Sequence, residues 1–316
     1  MQRWGIDFWE TYTPVVNCIG FRLLLILAIV HGLETKSIDF VLAFPQSDLD
    51  TNVFMEMHFG FGHDTKGKYV LILKKNLFGQ KSAAATWFSF LCDGLGAEIF
   101  VQSEIDQCGF LRNDCILLVY VDDVIEILKD VKIMDELVSN LKKKYSMEDE
   151  GSLTKYLGID MHENKDGTLE LWQPFLIGRI LKLLNLEGEK FDSKQNSRPT
   201  PAVKPLLFKD ADGLDRKCSW NYRQAIGLLT YLQNTTQSDI FMAVHQAARF
   251  CIDPKLLHER AVKRIGRYLS GNQDKGLIFK PDPSIGVECY FNADFTVNGQ
   301  KLMQIIQRIS YLKLVL

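Results

Sequence analysis

Cys115-Ile116-Leu117-Leu118-Val119-Tyr120-Val121-Asp122-Asp123-Val124-Ile125-Glu126-Ile127-Leu128 is the stretch on which the fold turns. Two runs of aliphatic and β-branched residues flank a pair of aspartates, the pattern of a hairpin with acids at its tip. Adjacent carboxylates beside so apolar a hairpin cost several kcal/mol unless something neutralises them. A divalent cation does so, and Mg²⁺ prefers one or two carboxylates together with substrate phosphates. Asp39 lies in a second segment of the same texture, Ser37-Ile38-Asp39-Phe40-Val41-Leu42-Ala43-Phe44 ahead of Pro45, which reads as a strand holding one acid. Three acids on neighbouring strands are able to hold two metals about 3.5–4 Å apart, the clamp for an in-line phosphoryl displacement. Spacing alone leaves a second reading open, an ordinary polar turn, because Asp is common in turns.

Outward from the hairpin, residues 19–33 read as a buried helix closed by Gly32. Tyr69 to Leu73 is a further strand, a loop holding Gly79 follows, and Ser82 to Leu95 is helix-like. From Val131 to Tyr145 runs a charged amphipathic helix. The texture breaks at 187–219, where Pro199, Pro201 and Pro205 punctuate a polar run that reads as a linker. Residues 220–270 look helical, closed by Gly271-Asn272, and 285–295 gives a short strand ending at Asp294. There is no internal repeat.

The 316 residues are 47% hydrophobic and 24% charged, which excludes disordered, collagen-like and coiled-coil chains. Such a length suggests two or three domain-sized units. Lys+Arg 37 against Asp+Glu 39 leaves a net charge of −2, so bulk charge argues mildly against a nucleic-acid binder. Local charge argues the other way. Arg260, Lys263, Arg264 and Arg267 fall at helical spacing as one basic stripe suited to a phosphate backbone, with Ala261, Ile265 and Tyr268 turned toward a core. A solvated helix face is the alternative reading of that stripe. The seven cysteines include no CxxC pair and read as reduced intracellular thiols. The most apolar run, Leu23 to Val30, is far short of the ~20 residues that span a bilayer, and no signal segment opens the chain. A soluble, non-secreted protein with no membrane partner is expected.

The stretch Leu118 to Val124 resembles the Tyr-x-Asp-Asp signature of reverse transcriptases, in the form carried by copia-type retrotransposons. Further segments resemble that family in its order: Tyr12 to Val16, Asp39 to Phe44 with Leu49, Val53 to Glu56, Phe59-Gly60-Phe61, Leu73 to Gly79 and then Trp87. Downstream come Tyr156 to Ile159, Tyr222 to Gly227, Leu229 to Leu232, Asp239-Ile240 and Lys263 to Leu269. Each motif is weak by itself; the ordered set, covering about residues 4–295, is specific. The resemblance implies an α+β right-hand polymerase with a ferredoxin-like palm, followed by a helical thumb and connection region. It implies RNA-directed DNA synthesis on a primed RNA or DNA template from deoxynucleoside triphosphates, with two Mg²⁺ or Mn²⁺ ions as cofactors. Asp39, Asp122 and Asp123 become the metal-binding catalytic triad. Phe44 falls where the family places the ring that excludes a ribose 2′-OH, against the alternative that it is a core residue. Gly79 and Lys81 fall where the palm loop meets the nucleotide. Tyr156, Leu157 and Gly158 fall at the primer grip. An intracellular setting follows, cytoplasmic or nuclear, virus-like particles included.

The expected division is 1–165 for a fingers remnant and palm, 166–219 for thumb and linker, 220–282 for the helical connection and 283–316 for a truncated RNase H remnant. Departures from the family set a second reading beside the first. The family's fingers strands are expected to fall before Met1, Ser82 and Ala84 replace the usual Gln and Pro, and Gln237-Ser238 replaces Arg-Pro before Asp239. Asp294 matches the opening of the RNase H domain, but no Asp or Glu follows it, so RNase H activity is expected to be absent. The second reading is a catalytically inactive remnant that at most binds nucleic acid. A palm-fold nucleotidyl cyclase is set aside, because its Gly-Gly-Asp/Glu-Glu-Phe hairpin is not the Tyr-Val-Asp-Asp found here.

Overall fold

The computed structural model describes residues 2–57, 69–187, 197–203, 206–280, 288–291 and 307–310. In chain order the first part runs α1 (Cys18–His31), β1 (Glu34–Phe40), α2 (Ala43–Gln46), β2 (Phe54–Glu56), β3 (Val70–Ile72) and α3 (Ala83–Ala97). It continues through β4 (Val101–Gln102), β5 (Gly109–Arg112), β6 (Cys115–Tyr120), β7 (Asp123–Leu128), α4 (Val131–Leu141) and β8 (Met147–Ser152). The second part holds β9 (Lys155–Tyr156), β10 (Ile159–Glu163), β11 (Leu169–Trp172), α5 (Pro174–Leu183), α6 (Tyr222–Thr235), α7 (Phe241–Ala248), α8 (Leu256–Ser270) and β12 (Leu277–Phe279). A last ladder pairs β13 (Glu288–Phe291) with β14 (Gln307–Ser310).

The result is a mixed α/β fold on antiparallel sheets. The largest sheet among the described residues has the order β4-β5-β6-β7-β1-β8, so its first strand in sequence lies inside it, between its last two. Strand side chains alternate between faces. Ile38, Phe40, Leu117, Val119, Val124 and Leu128 share one face and form a core with Trp87, Leu91 and Leu95 of α3 and Leu137, Val138 and Leu141 of α4. Local signals start and stop the helices. Asn17 and Asp130 accept from the backbone N–H groups of Ile19 and Lys132, capping α1 and α4, and Gly32 ends α1 with φ 59°.

Two compact units result. One is built on the chain up to Leu153 together with the β13–β14 ladder; the other is Thr154–Lys280. The four-part division expected from the sequence is drawn differently here. α5, from the stretch expected as thumb and linker, shares one core with α6, α7 and α8 through Ile177, Ile180, Leu181, Leu229, Val244 and Ile265. The described part of the 187–219 run is a strap across α8. Arg198 N–H donates to the Arg267 carbonyl (3.2 Å), the Leu256 N–H to Leu214 (2.8 Å), and the Lys217 and Cys218 N–H groups to the Glu259 carboxylate (3.0 and 3.1 Å). Apolar anchors and one buried glutamate hold a segment whose composition alone reads as loose.

One strand also ends early. The expected run to Phe44 stops at Phe40, Leu42 turns with φ 53°, and Ala43 to Gln46 form a short helix. Pro45 lies in its first turn, where the missing N–H is harmless, and Ala43 still reaches the core.

Candidate active site

β6 and β7 pair with Tyr120 opposite Asp123, so Val121 and Asp122 form a two-residue turn. Val121 takes φ 56°, the first position of a II′-like hairpin and a strained one for a β-branched residue. The turn is held from two sides. The Trp87 indole N–H donates to the Val121 carbonyl (2.7 Å), and the Phe40 N–H donates to the Asp122 carbonyl (2.9 Å). Asp39 lies directly opposite Asp123 across β1 and β7. The three sequence-predicted carboxylates are therefore together, at one end of the large sheet.

The row is longer than the sequence suggests. On its other side Asp39 is paired with Glu148 of β8, and a bulge between Ser37 and Ile38 shifts the register beyond it. Glu150 accepts from the Ser37 hydroxyl (2.8 Å). Burial, then Asp122, Glu150 and Glu148, raise the Asp39 carboxyl above the ordinary range. Burial, then Asp122, Asp39 and Glu150, push Asp123 up to about 6. Glu148 and Glu150 had no motif to mark them; the short acidic run Glu148-Asp149-Glu150 is the signal that was there.

Like charges directly opposite one another destabilise a sheet, so this row is incomplete without a counter-charge. Among the described residues no group of three or more His, Cys, Asp or Glu side chains converges as a ready-made metal cage. The donor set is nonetheless the hard-oxygen one that Mg²⁺ or Mn²⁺ takes, and Mg²⁺ needs only one or two carboxylates when phosphates and waters complete the shell. The mutual repulsion of Asp39, Asp122 and Asp123 fits a cation.

The loops around the row are locked by two amides. Gln46 donates to the carbonyls of Val41 and Ser146 (both 2.8 Å) and accepts from the Ser146 N–H (2.8 Å), fixing α2 onto the start of β8. Asn76, fully buried, donates to the Asp48 carbonyl (2.8 Å), to the Ser47 hydroxyl (3.0 Å) and to the Thr86 hydroxyl (2.9 Å). Phe44 is half-buried, its ring 4.8 Å from that of the exposed Phe78. Gly79 turns with φ 92°, a conformation that suits glycine. Lys81 is exposed, and its backbone N–H donates to Gln2 (2.7 Å).

The remaining predicted residues belong to the second unit. Leu157 (φ 48°) and Gly158 (φ 73°) are the two turn residues between β9 and β10, with Tyr156 paired to Ile159 and buried. The Tyr231 hydroxyl donates to the Leu157 carbonyl (2.6 Å), tying this turn to α6. On α8 the buried line is Val262, Ile265, Gly266 and Leu269. Of the three residues expected to face the core only Ile265 is buried; Ala261 and Tyr268 are half-exposed, because the helix is covered on two sides by α5 and by the strap. Lys263 faces Glu259 (3.3 Å) and donates to the Cys218 sulfur (2.7 Å), while Arg264 donates to the Thr200 hydroxyl (3.0 Å). Asp294 and Phe59-Gly60-Phe61 lie outside the described residues. No helix among the described residues is long and apolar enough to cross a membrane. The six cysteines whose side chains are described are free thiols.

An antiparallel sheet with carboxylates from a Tyr-x-Asp-Asp hairpin turn and from the adjacent strand is the arrangement that the resemblance to reverse transcriptases leads one to expect. Residues 1–197 match the family described as reverse transcriptase (RNA-dependent DNA polymerase), and the chain belongs to that family. It is similar to the Retrovirus-related Pol polyprotein from transposon TNT 1-94 of Nicotiana tabacum, 31% identical over 93% of this chain and 22% of that protein. The corresponding polyprotein from transposon RE1 of Arabidopsis thaliana is 30% identical over 93% of this chain and 20% of its own length. A putative transposon Ty5-1 protein of Saccharomyces cerevisiae is 26% identical over 79% of this chain and 81% of its own. The chain thus spans about a fifth of the two Pol polyproteins.

Proposed function

We propose that this chain catalyses RNA-directed DNA synthesis of the copia type, joining deoxynucleoside triphosphates to a primer 3′-OH on an RNA or DNA template. The observation that carries the reading is the placement of Asp39 opposite Asp123, with Asp122 beside them in a turn fixed by Trp87 and Phe40. Asp39, Asp122 and Asp123 would hold two Mg²⁺ or Mn²⁺ ions, which when bound supply an activated hydroxyl and charge stabilisation for the departing pyrophosphate. The chain's own part is electrostatic preorganisation: the carboxylates are aligned before substrate arrives, so little reorganisation is left for the reaction. The Phe44 ring, backed by Phe78, stands as the wall against a ribose 2′-OH. Lys81 offers a mobile point charge to the triphosphate beside the Gly79 turn. Tyr156, Leu157 and Gly158 are proposed to hold the primer end.

Primer extension on poly(rA)/oligo(dT) with Mg²⁺ or Mn²⁺ tests this, beside an Asp122→Asn/Asp123→Asn control. Incorporation that the control abolishes is expected. Because Asp123 holds its proton up to about pH 6, and a proton competes with a cation for the carboxylate, the rate should climb as pH rises through 6. A folded wild-type chain that incorporates nothing with either metal would overturn the reading.

A further inference from the structure

Cys218 and Lys263 are 45 residues apart in the chain and meet where the strap crosses α8. The Lys263 ammonium donates to the Cys218 sulfur at 2.7 Å. That separation lies at the short end even of N–H···O bonds, and sulfur is a larger acceptor than oxygen. It is longer than a single bond between nitrogen and sulfur. One oxygen atom bonded to both would span it.

One carboxylate fixes both partners. Glu259, a turn before Lys263 on α8 and buried, accepts from the Lys217 and Cys218 N–H groups (3.0 and 3.1 Å) and faces the Lys263 ammonium at 3.3 Å. Arg216 lies 3.9 Å from the same carboxylate, so Glu259 is not left an uncompensated buried charge if Lys263 becomes neutral. Cys218 and Lys263 are both half-buried and line a cleft of about 560 Å³, through which a small oxidant reaches them. A cation against the sulfur, on a partly exposed cysteine, is the setting in which a thiolate attacks peroxide. Other thiols are set differently: burial pushes Cys92 up to about 11 and Cys108 up to about 12, and raises Cys115 and Cys251, so these hold their protons.

We propose that Cys218 and Lys263 form an oxidative cross-linking site, where peroxide joins the sulfur to the nitrogen through one oxygen and locks the strap onto α8. In the first step the Cys218 thiolate attacks hydrogen peroxide. An S–O bond forms, the O–O bond breaks, and the departing hydroxide takes a proton from the Lys263 ammonium, leaving sulfenic acid, amine and water. Burial lowers the Lys263 ammonium, and Cys218 and then Glu259 outweigh it, so consuming the thiolate removes the first of the two holds on that proton. A second peroxide oxidises the amine to a hydroxylamine, forming N–O and releasing water. The hydroxylamine oxygen then displaces the sulfenic hydroxyl from sulfur, and a third water leaves. Sulfur and nitrogen each give up two electrons, and two peroxides are reduced. The step needs no nucleotide, template or metal, so it stands or falls apart from the polymerase reading.

Mass spectrometry of the folded, full chain after treatment with hydrogen peroxide, alkylation and digestion tests the proposal. The peptides holding Cys218 and Lys263 should be found joined, about 14 Da heavier than their sum, for one oxygen gained and two hydrogens lost. Dithiothreitol should part them again, two equivalents returning thiol, amine and water. Hydrogen exchange at the Lys217 and Cys218 amides should be about tenfold slower in the oxidised chain and recover on reduction, because the strap must open for those N–H groups to exchange. Lys263→Arg keeps the cation beside the sulfur but offers no amine. It should form no link, and its Cys218 should pass on to sulfinic acid. Peroxide that leaves the wild-type Cys218 untouched, or oxidises it with Lys263 unmodified, overturns the proposal. A joined pair about 2 Da lighter than the sum overturns the oxygen bridge, since it marks a direct S–N bond. A joined chain whose strap exchanges as fast as before overturns the lock.

Discussion

Glu126 stands three residues past Asp123 on β7 and therefore points to the opposite face, into the core between the sheet and its two helices. It is fully buried, and neither carboxyl oxygen has a hydrogen-bond partner among the described residues. Burial, with Asp149 and Asp135 adding and Lys36 and Arg112 opposing, pushes it up to about 8. The folded chain thus keeps a proton that the unfolded chain, near 4.5, has already released. Stability therefore falls as pH rises from about 4.5 and the penalty is complete above about 8. Glu126→Gln should remove that penalty: the gain over the wild type in urea unfolding is expected to be small at pH 4.5 and to grow, on the order of a few kcal/mol, up to pH 9. A gain independent of pH would contradict the assignment. From the sequence this residue was one member of an apolar run, because facing direction depends on a register that only the paired strands reveal. Asp39, Asp122 and Asp123 stood out from the sequence because they fall in the signature of a known family, whereas Glu126 falls in none.

At the scale of elements the hairpin was the most readable part, and its neighbours were the least. Cys115 to Leu128 pairs as a hairpin with the aspartates at its tip, as its two apolar runs imply. The third strand of the acidic row, β8, was invisible, because its partner lies more than a hundred residues away and its own sequence is charged rather than apolar. The strap over α8 read as a linker for the same reason: its anchors are backbone N–H groups meeting Glu259, and composition does not show backbone bonds. Trp87 belonged to a recognised motif, but its task is visible only in the fold. Its N–H reaches 2.7 Å to the carbonyl of Val121, whose positive φ costs on the order of 1–3 kcal/mol. Trp87→Phe keeps the ring and removes the donor. It should cost about 1–2 kcal/mol in denaturant unfolding. Single-turnover extension should slow while the Kd for primer–template stays unchanged, because the turn that carries Asp122 loses one of its two supports.

At the scale of the whole molecule, the described residues form two cores, one under the large sheet and one among α5 to α8, and they share no residue. Leu117→Ala and Leu229→Ala should each cost about 2–5 kcal/mol. Hydrogen exchange should show the loss of protection confined to the unit that carries the change. Protection lost evenly across both units would mean one cooperative body. The order of the large sheet has a further consequence, for biosynthesis. β1 is completed early, yet its two neighbours are the strands of this sheet that leave the ribosome last. Asp39 waits about 80 residues for Asp123 and longer for Glu148, so β1 spends that interval with both edges open. A nascent chain stalled before residue 150 exposes a strand and a carboxylate that nothing yet covers, and that is the stage at which a holdase chaperone has most to protect.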